Sequence, residues 1–191
     1  MNVHIWGQVR TGTNWFADIC EANFDTGVNR NANGLKHQFL SDLKHTEGKS
    51  LGQTLWRRIE DNFCDDLHIV MHKHEPNWLH SMTRNRAKKN GADWFYDVYG
   101  DHTEEQMTRH YRTFYQQWLD FDIPNKVILW YEEALIDPVN VVTTISTNFN
   151  IPLKGDIMVP KIGSVSQSED LTEERIQMYI KNYQDSLAEQ E

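Results

Sequence analysis

Residues 7–15, Gly-Gln-Val-Arg-Thr-Gly-Thr-Asn-Trp, follow the short apolar run Val3-His4-Ile5-Trp6 and lead into a segment with helical spacing of apolar residues. A glycine loop between a strand and a helix aims several backbone N–H groups, and the positive end of the helix dipole, at one point. That arrangement suits phosphate or a similar anion. Gly7 and Gly12 have the spacing of the glycines in G-x-x-x-x-G-K-[ST], but Thr13-Asn14 stand where Lys-Ser/Thr would follow. The nearest cation is Arg10, inside the loop. Its planar fork of donors matches phosphate or sulfate.

A second set of polar residues lies at 68–82, HIVMHKHEPNWLHSM, which runs from an apolar strand through basic residues into a helix. Lys73 and His74 lie where the apolar run ends, and Ser81 lies on the predicted helix. Of the two basic residues, an ammonium suits a dianion better than a mostly neutral imidazole. His68, His72 and His74 share parity along an extended chain and invite a metal reading, but no Asp, Glu or Cys at ligand spacing completes a set. Leu35-Lys36-His37 sets an imidazole, able to accept a proton near neutral pH at an unperturbed pKa of ~6.5, beside the positive charge of Lys36, and Glu21 is a carboxylate on the helix after the loop. The aromatic run at 93–100, DWFYDVYG, suits stacking on a sugar or phenol, and equally a local core or lid.

These residues are positioned by alternating strands and helices. The pattern predicts a strand at 3–6, a helix at 13–23 carrying Trp15, Phe16, Ile19 and Ala22, a short strand at Val28 and a polar loop at 29–34. A helix near 53–63, a strand at 67–71 and a helix opened by Pro76 follow. Next come a long amphipathic helix at 104–120 and an apolar strand at 126–130. Asp137-Pro138 reads as N-cap and first residue of a helix, and Asp170-Leu-Thr-Glu173 as a capping-box-like start to the last one. The alternation predicts an α/β fold with a parallel β-sheet flanked by helices on both faces.

The 191 residues show no linker or internal repeat and are expected to form a single domain, 1–191. A net charge of −9 provides no general basic field, so nucleic acid is not an expected partner. Cys20 and Cys64, both in predicted helices, lack the spacing of a disulfide framework or zinc knuckle and read as buried thiols in a reducing compartment. No run approaches the ~18 apolar residues of a membrane span and a strand begins within three residues of the start, so a cytoplasmic location and no membrane partner are expected.

The segments resemble, in order along most of the chain, the sulfotransferases that use 3'-phosphoadenosine 5'-phosphosulfate (PAPS). That family's 5'-phosphosulfate loop is a Lys or Arg followed by Ser/Thr-Gly-Thr, often with a Trp close behind, as Arg10-Thr11-Gly12-Thr13 and Trp15 stand here. A strand ending in a basic residue, then Pro, then Ser, binds the family's 3'-phosphate; Lys73, Pro76 and Ser81 are similar, although counting from Pro76 selects His74. VILWYEEALIDP, 127–138, resembles the family's strand, Tyr-Glu-x-Leu and Asp-Pro, which implies that Tyr131 lies near the nucleotide. PKIG, 160–163, resembles the basic loop over the 3'-phosphate and adenine, with Lys161 as ligand, although the fuller Arg-Lys-Gly signature is absent.

The resemblance implies a P-loop-like sulfotransferase fold and PAPS as donor, with no metal required. Donor contacts would come from Arg10, Thr11, Gly12, Thr13, Asn14 and Trp15 at one end, and from Lys73, Ser81, Tyr131 and Lys161 at the other. His37, which follows the second strand where the family places its base, would be the general base with Glu21 in reserve, and Arg10 would hold charge developing during transfer to a hydroxyl or amine of a small molecule or glycan. Two other readings stay open: a P-loop kinase or NTPase, which would want a lysine on the terminal phosphates and a carboxylate for magnesium, and a non-catalytic nucleotide-binding relative.

Overall fold

The computed structural model describes residues 1–31, 36–37, 40, 55–87, 102–162 and 171–190, with the backbone alone at 85–87. In chain order its elements are β1 (Val3–Trp6), α1 (Thr13–Asn23), β2 (Val28–Asn29), α2 (Leu55–Phe63), β3 (Leu67–His72) and α3 (Glu75–Ala87). There follow α4 (Glu104–Asp120), β4 (Lys126–Trp130), α5 (Tyr131–Ile136), α6 (Pro138–Phe149) and α7 (Glu173–Ala188). The four strands form one sheet in the order β2-β1-β3-β4, every pair parallel, with Val3 opposite both Val28 and Leu67 and His68 opposite Lys126.

Alternation along the strands supplies both faces with apolar side chains, as a sheet covered on both sides requires. Val3, Ile5, Leu67, Ile69 and Met71 pack with Phe16 and Ile19 of α1, Val142 and Ile145 of α6 and Tyr179 of α7. Trp6 and Val70 face the other way, into Ile59 of α2, Trp78 and Met82 of α3, and Met107, Tyr111, Phe114 and Trp118 of α4. The helix after β1 therefore covers one face and the helix after β3 the other. Neighbouring strands whose chains leave in opposite directions open a crevice at their carboxyl ends, where open α/β sheets bind ligands.

The expected α/β layers are present, and most boundaries agree. Four local differences have physical causes. β3 runs to His72 but stops before His74, so the shared parity of the three histidines ends at His72. A short helix, α5, occupies 131–136 between β4 and α6. It is too short for helical periodicity to register, and its signal is Glu132 and Glu133 in the first turn, where the helix dipole favours acidic residues. Helix α7 opens at Glu173 after Thr172, which makes no side-chain cap, and Asp170 lies outside the described residues. Cys64 falls just beyond α2 rather than within it.

Two glycines set how closely these layers approach. Gly7 has φ +147°, and a Cβ there would lie 2.7 Å from the Met71 carbonyl oxygen of the neighbouring strand. Gly12 has φ +83°, and a Cβ there would collide with the ring of Tyr131. Gly12→Ala combines left-handed strain, about 1–2 kcal/mol, with displacement of a buried ring. It is expected to cost about 2 kcal/mol or more in urea unfolding, whereas Gly155→Ala, with nothing within 4 Å, should change stability by less than about 0.5 kcal/mol. Equal stability of the two variants would contradict this packing.

Candidate functional site

The carboxyl ends of β1 and β3 carry the loop 7–12 and Lys73. Four groups outside the loop hold its backbone. The Gly7 N–H donates to the Lys36 carbonyl (3.1 Å), the Gln8 N–H to the Tyr115 hydroxyl (3.3 Å), and the Trp78 Nε1–H to the Val9 carbonyl (2.9 Å). His37 Nδ1 lies 2.5 Å from the Gly7 carbonyl oxygen. Within the loop, the Thr11 hydroxyl donates to the Gln8 carbonyl (2.6 Å), and Arg10 takes a left-handed conformation, φ +68°. Non-glycine residues adopt that conformation at a cost, and here it lies beside a glycine in the same region.

The first turn of α1 has no cap. Gly12 has no side chain to offer, and the helix ladder begins with the Phe16 N–H donating to the Gly12 carbonyl (3.0 Å). The N–H groups of Thr13, Asn14 and Trp15 are thus directed at the loop mouth, where an anion is favoured. Arg10 stands at that mouth and makes no ion pair among the described residues. Burial lowers its pKa, and the charge of Arg84 lowers it further.

Lys73, 2% exposed, lies across from the loop. Its backbone is held at both polar groups by the Tyr111 hydroxyl, which accepts from the Lys73 N–H (3.0 Å) and donates to the Lys73 carbonyl. The ammonium sits 3.9 Å from the ring centre of Tyr179 and 4.8 Å from that of Tyr131, and reaches Ser81 Oγ at 3.4 Å. Tyr179 in turn donates its hydroxyl to Ser81 (3.3 Å). Burial drives the Lys73 pKa far below the ordinary lysine range, the charge of Glu132 opposes that, and Arg10 adds to it. The charges of these two desolvated groups, at adjacent strand ends, therefore repel each other, and a bound anion would relieve that repulsion.

Glu132 is the fixed negative charge behind Lys73. It is fully buried, accepts from Asn77 Nδ2 (2.8 Å) and from the His74 N–H (3.1 Å), and burial raises its pKa. The carboxylate pins the start of α3 to α5 and so fixes the strand end from which Lys73 projects. His74 turns toward Tyr183 (6.3 Å between rings). Of the two residues considered for the basic position, Lys73 is the one brought to Ser81.

On the other side of the loop, Lys36 Nζ donates to Asn14 Oδ1 (2.6 Å). The His37 Nδ1–H donates to the Gly7 carbonyl, which leaves the lone pair of the neutral ring on Nε2. Burial, with a smaller contribution from Lys36, lowers the His37 pKa to about 4. The ring is neutral at pH 7 and able to accept a proton.

Trp15 meets the Tyr131 ring edge-on at 5.8 Å and donates its Nε1–H to the Pro160 carbonyl (3.1 Å), which seats the segment bearing exposed Lys161 beside α1. Glu21 lies eight residues along α1 from Thr13, roughly 12 Å at 1.5 Å per residue, with its carboxylate on Arg30 (2.8 and 2.9 Å). That places it away from the loop mouth. His68 accepts from Trp6 Nε1 (3.0 Å) and donates to the Phe63 carbonyl (2.9 Å), while His72 stacks between Tyr115 and Trp130. The aromatic run at 93–100 and Leu35 lie outside the described residues. A cleft of 520 Å³ lined by Asn2, His4, Gly27, Asn29, Asn62 and Asp66, among others, opens toward the amino ends of the strands, away from these groups.

Tyr179, Tyr111 and Tyr115 were legible in the sequence only as helical core positions. What distinguishes them is the hydroxyl, which each uses on a polar partner that a phenylalanine could not serve. No protein-family model, curated protein or solved structure matches the chain.

Glu132→Ala leaves the His74 N–H without its acceptor, Asn77 Nδ2 with only the Tyr179 carbonyl, and Lys73 without its counter-charge. Breaking such a buried pair typically costs 3–5 kcal/mol, so a loss of about 3 kcal/mol is expected in urea unfolding at pH 7. Glu133→Ala, which removes an exposed acceptor of the Tyr183 hydroxyl, should cost less than about 1 kcal/mol. Similar losses in the two variants would remove Glu132 from this role.

Proposed function

We propose that the chain is a sulfotransferase that moves the sulfuryl group of PAPS to a hydroxyl or amine of a small molecule or glycan. The observation that carries this reading is the pairing of Arg10 and Lys73, two desolvated cations with Ser81 beside one and an uncapped helix N-terminus beside the other. A donor with phosphosulfate at one end and a 3'-phosphate at the other presents two anionic groups to those two places.

PAPS supplies an activated sulfuryl group whose S–O bond to the 5'-phosphate breaks as the acceptor's bond to sulfur forms, with 3',5'-ADP as the leaving product. Arg10 and the N–H groups of Thr13, Asn14 and Trp15 hold the phosphosulfate and the charge that develops on the bridging oxygen. Lys73 and Ser81 bind the 3'-phosphate, with Tyr131 packed on Gly12 at the nucleotide's edge and Lys161 nearby. His37 Nε2 takes the acceptor's proton, and Lys36 holds Asn14 in the first turn of α1. No metal ion is required by these steps. Against a kinase, Thr13-Asn14 provide no lysine for terminal phosphates. Two cysteines without a disulfide, and no helix among the described residues long and apolar enough to cross a membrane, are consistent with a cytoplasmic setting, which we include in the proposal.

The test is turnover of labelled PAPS with a panel of sugars, phenols and amines. Arg10→Ala should lower the rate by ~10²-fold or more while Arg10→Lys keeps much of it; wild-type turnover in Arg10→Ala would exclude the residue from the site. No turnover with any acceptor, alongside tight 3',5'-ADP binding, would favour a non-catalytic nucleotide binder. Stabilisation by ATP-magnesium but not by 3',5'-ADP would favour a kinase.

His37 separates chemistry from binding. Its side chain also supports the loop through Gly7, so His37→Asn, whose amide can still donate there, is the cleaner variant. It should bind 3',5'-ADP nearly as wild type and turn over ~10²- to 10⁴-fold more slowly. Because burial lowers the pKa to about 4, the base stays neutral through mildly acidic conditions. The wild-type kcat/KM should hold from pH 7 down to about 5 and fall as pH drops through about 4, and His37→Asn should lack that limb. Unchanged turnover in His37→Asn would move the role of base elsewhere.

A further inference from the structure

We propose that Arg84 is a further ligand of this site and the residue that makes it prefer a nucleotide with a 3'-phosphate over one with a 5'-phosphate alone; the assignment rests on the donor reading above. Arg84 follows Ser81 by three residues and His80 by four on α3, so it leaves the helix on the face that carries both. That face is already directed at one spot. The Tyr179 hydroxyl donates to Ser81 (3.3 Å) and meets His80 Nδ1 at 3.2 Å, while Lys73 Nζ reaches the same Ser81 Oγ at 3.4 Å. Met82, on the other side of the helix from His80 and Arg84, is buried in the core. The charge of Arg84 acts on Arg10, His80 and Tyr179, three groups that border the crevice from the loop, α3 and α7.

A terminal phosphate has three oxygens to satisfy. The Lys73 ammonium is enclosed by two rings and a hydroxyl, so it meets that phosphate as a point charge from one side. Arg84 is half-buried on the helix face that carries Ser81, and of its five N–H donors a guanidinium can direct a planar pair at the remaining oxygens. The 5' end of the nucleotide lies at the uncapped turn of α1, whose N–H groups and Arg10 are its ligands, so Arg84 reaches it only as a distant charge. Arg84 therefore acts on discrimination between nucleotides rather than on nucleotide binding as a whole.

Calorimetric titration of wild type, Arg84→Ala and Arg84→Lys with 3',5'-ADP and with 5'-AMP tests this. Wild type should prefer 3',5'-ADP. Arg84→Ala should lose ~10-fold or more in affinity for 3',5'-ADP while its affinity for 5'-AMP stays within about twofold, which also reports an intact fold. Arg84→Lys should recover part of the loss. An Arg84→Ala protein that binds 3',5'-ADP as wild type does, or that loses both nucleotides equally, overturns the assignment. If the alanine variant does not fold, Arg84→Gln, which keeps much of the length without the charge, gives the same comparison. Wild-type protein that does not bind 3',5'-ADP contradicts the donor reading itself; wild-type binding with no change in the Arg84 variants contradicts only the role of Arg84.

Discussion

An ammonium taken out of water has to be compensated from within the protein, and Lys73 draws on three helices to achieve this. Tyr131 on α5 and Tyr179 on α7 give it two aromatic faces, Ser81 on α3 gives it a hydroxyl, and Glu132 supplies an opposite charge from behind. Each compensation is partial. Ring faces attract a cation but accept no conventional hydrogen bond, Ser81 is at the long end of bonding distance, and Arg10 adds repulsion. Lys73 is thereby held in place without being fully neutralised, which is the electrostatic condition of a site prepared for an anion.

The positions of the other elements follow from that constraint. Tyr131 reaches Lys73 because Gly12 leaves room for its ring, and Gly12 at the same time starts α1 without a side-chain cap. Glu132, the next residue, binds the start of α3 through Asn77 and the His74 N–H. One short helix thus sets the depth of both halves of the crevice. From the second face, α4 extends two tyrosine hydroxyls to the ends of β3 and to the loop after β1. The repulsion between Arg10 and Lys73 is consequently borne by side chains fixed from several helices, and on the proposed reading the donor's anionic groups would need little reorganisation there.

Much of this was legible in the sequence where one residue type permits one local outcome. Glycines at 7 and 12 after an apolar strand marked the loop, Asp137-Pro138 marked a helix start, and Asp137 does accept from the Asn140 N–H (2.9 Å). Lys73 and Ser81, paired through the resemblance, do lie 3.4 Å apart, between the end of β3 and a face of α3. Long-range choices were less visible. Nothing local says that Tyr179, about a hundred residues from Lys73, shares its pocket, because a tyrosine at helical spacing looks like core until its hydroxyl has a partner. Glu132 was hidden for the converse reason: an acidic residue after a strand reads as surface, and only the tertiary fold shows it buried with two donors. His74 was ambiguous because sequence spacing does not reveal where β3 stops.

The proposed site depends on the state of one side chain, which can be measured. The Lys73 ammonium can be titrated by NMR in lysine-labelled protein, assigned by Lys73→Arg, without and with saturating 3',5'-ADP. Its pKa should lie well below the ordinary ~10.4 in the free protein and rise markedly when the nucleotide binds, since an added anion favours the charged form. An ordinary lysine pKa in the free protein, or a lowered one that 3',5'-ADP leaves unmoved, would mean that Lys73 is not the buried cation of a nucleotide site.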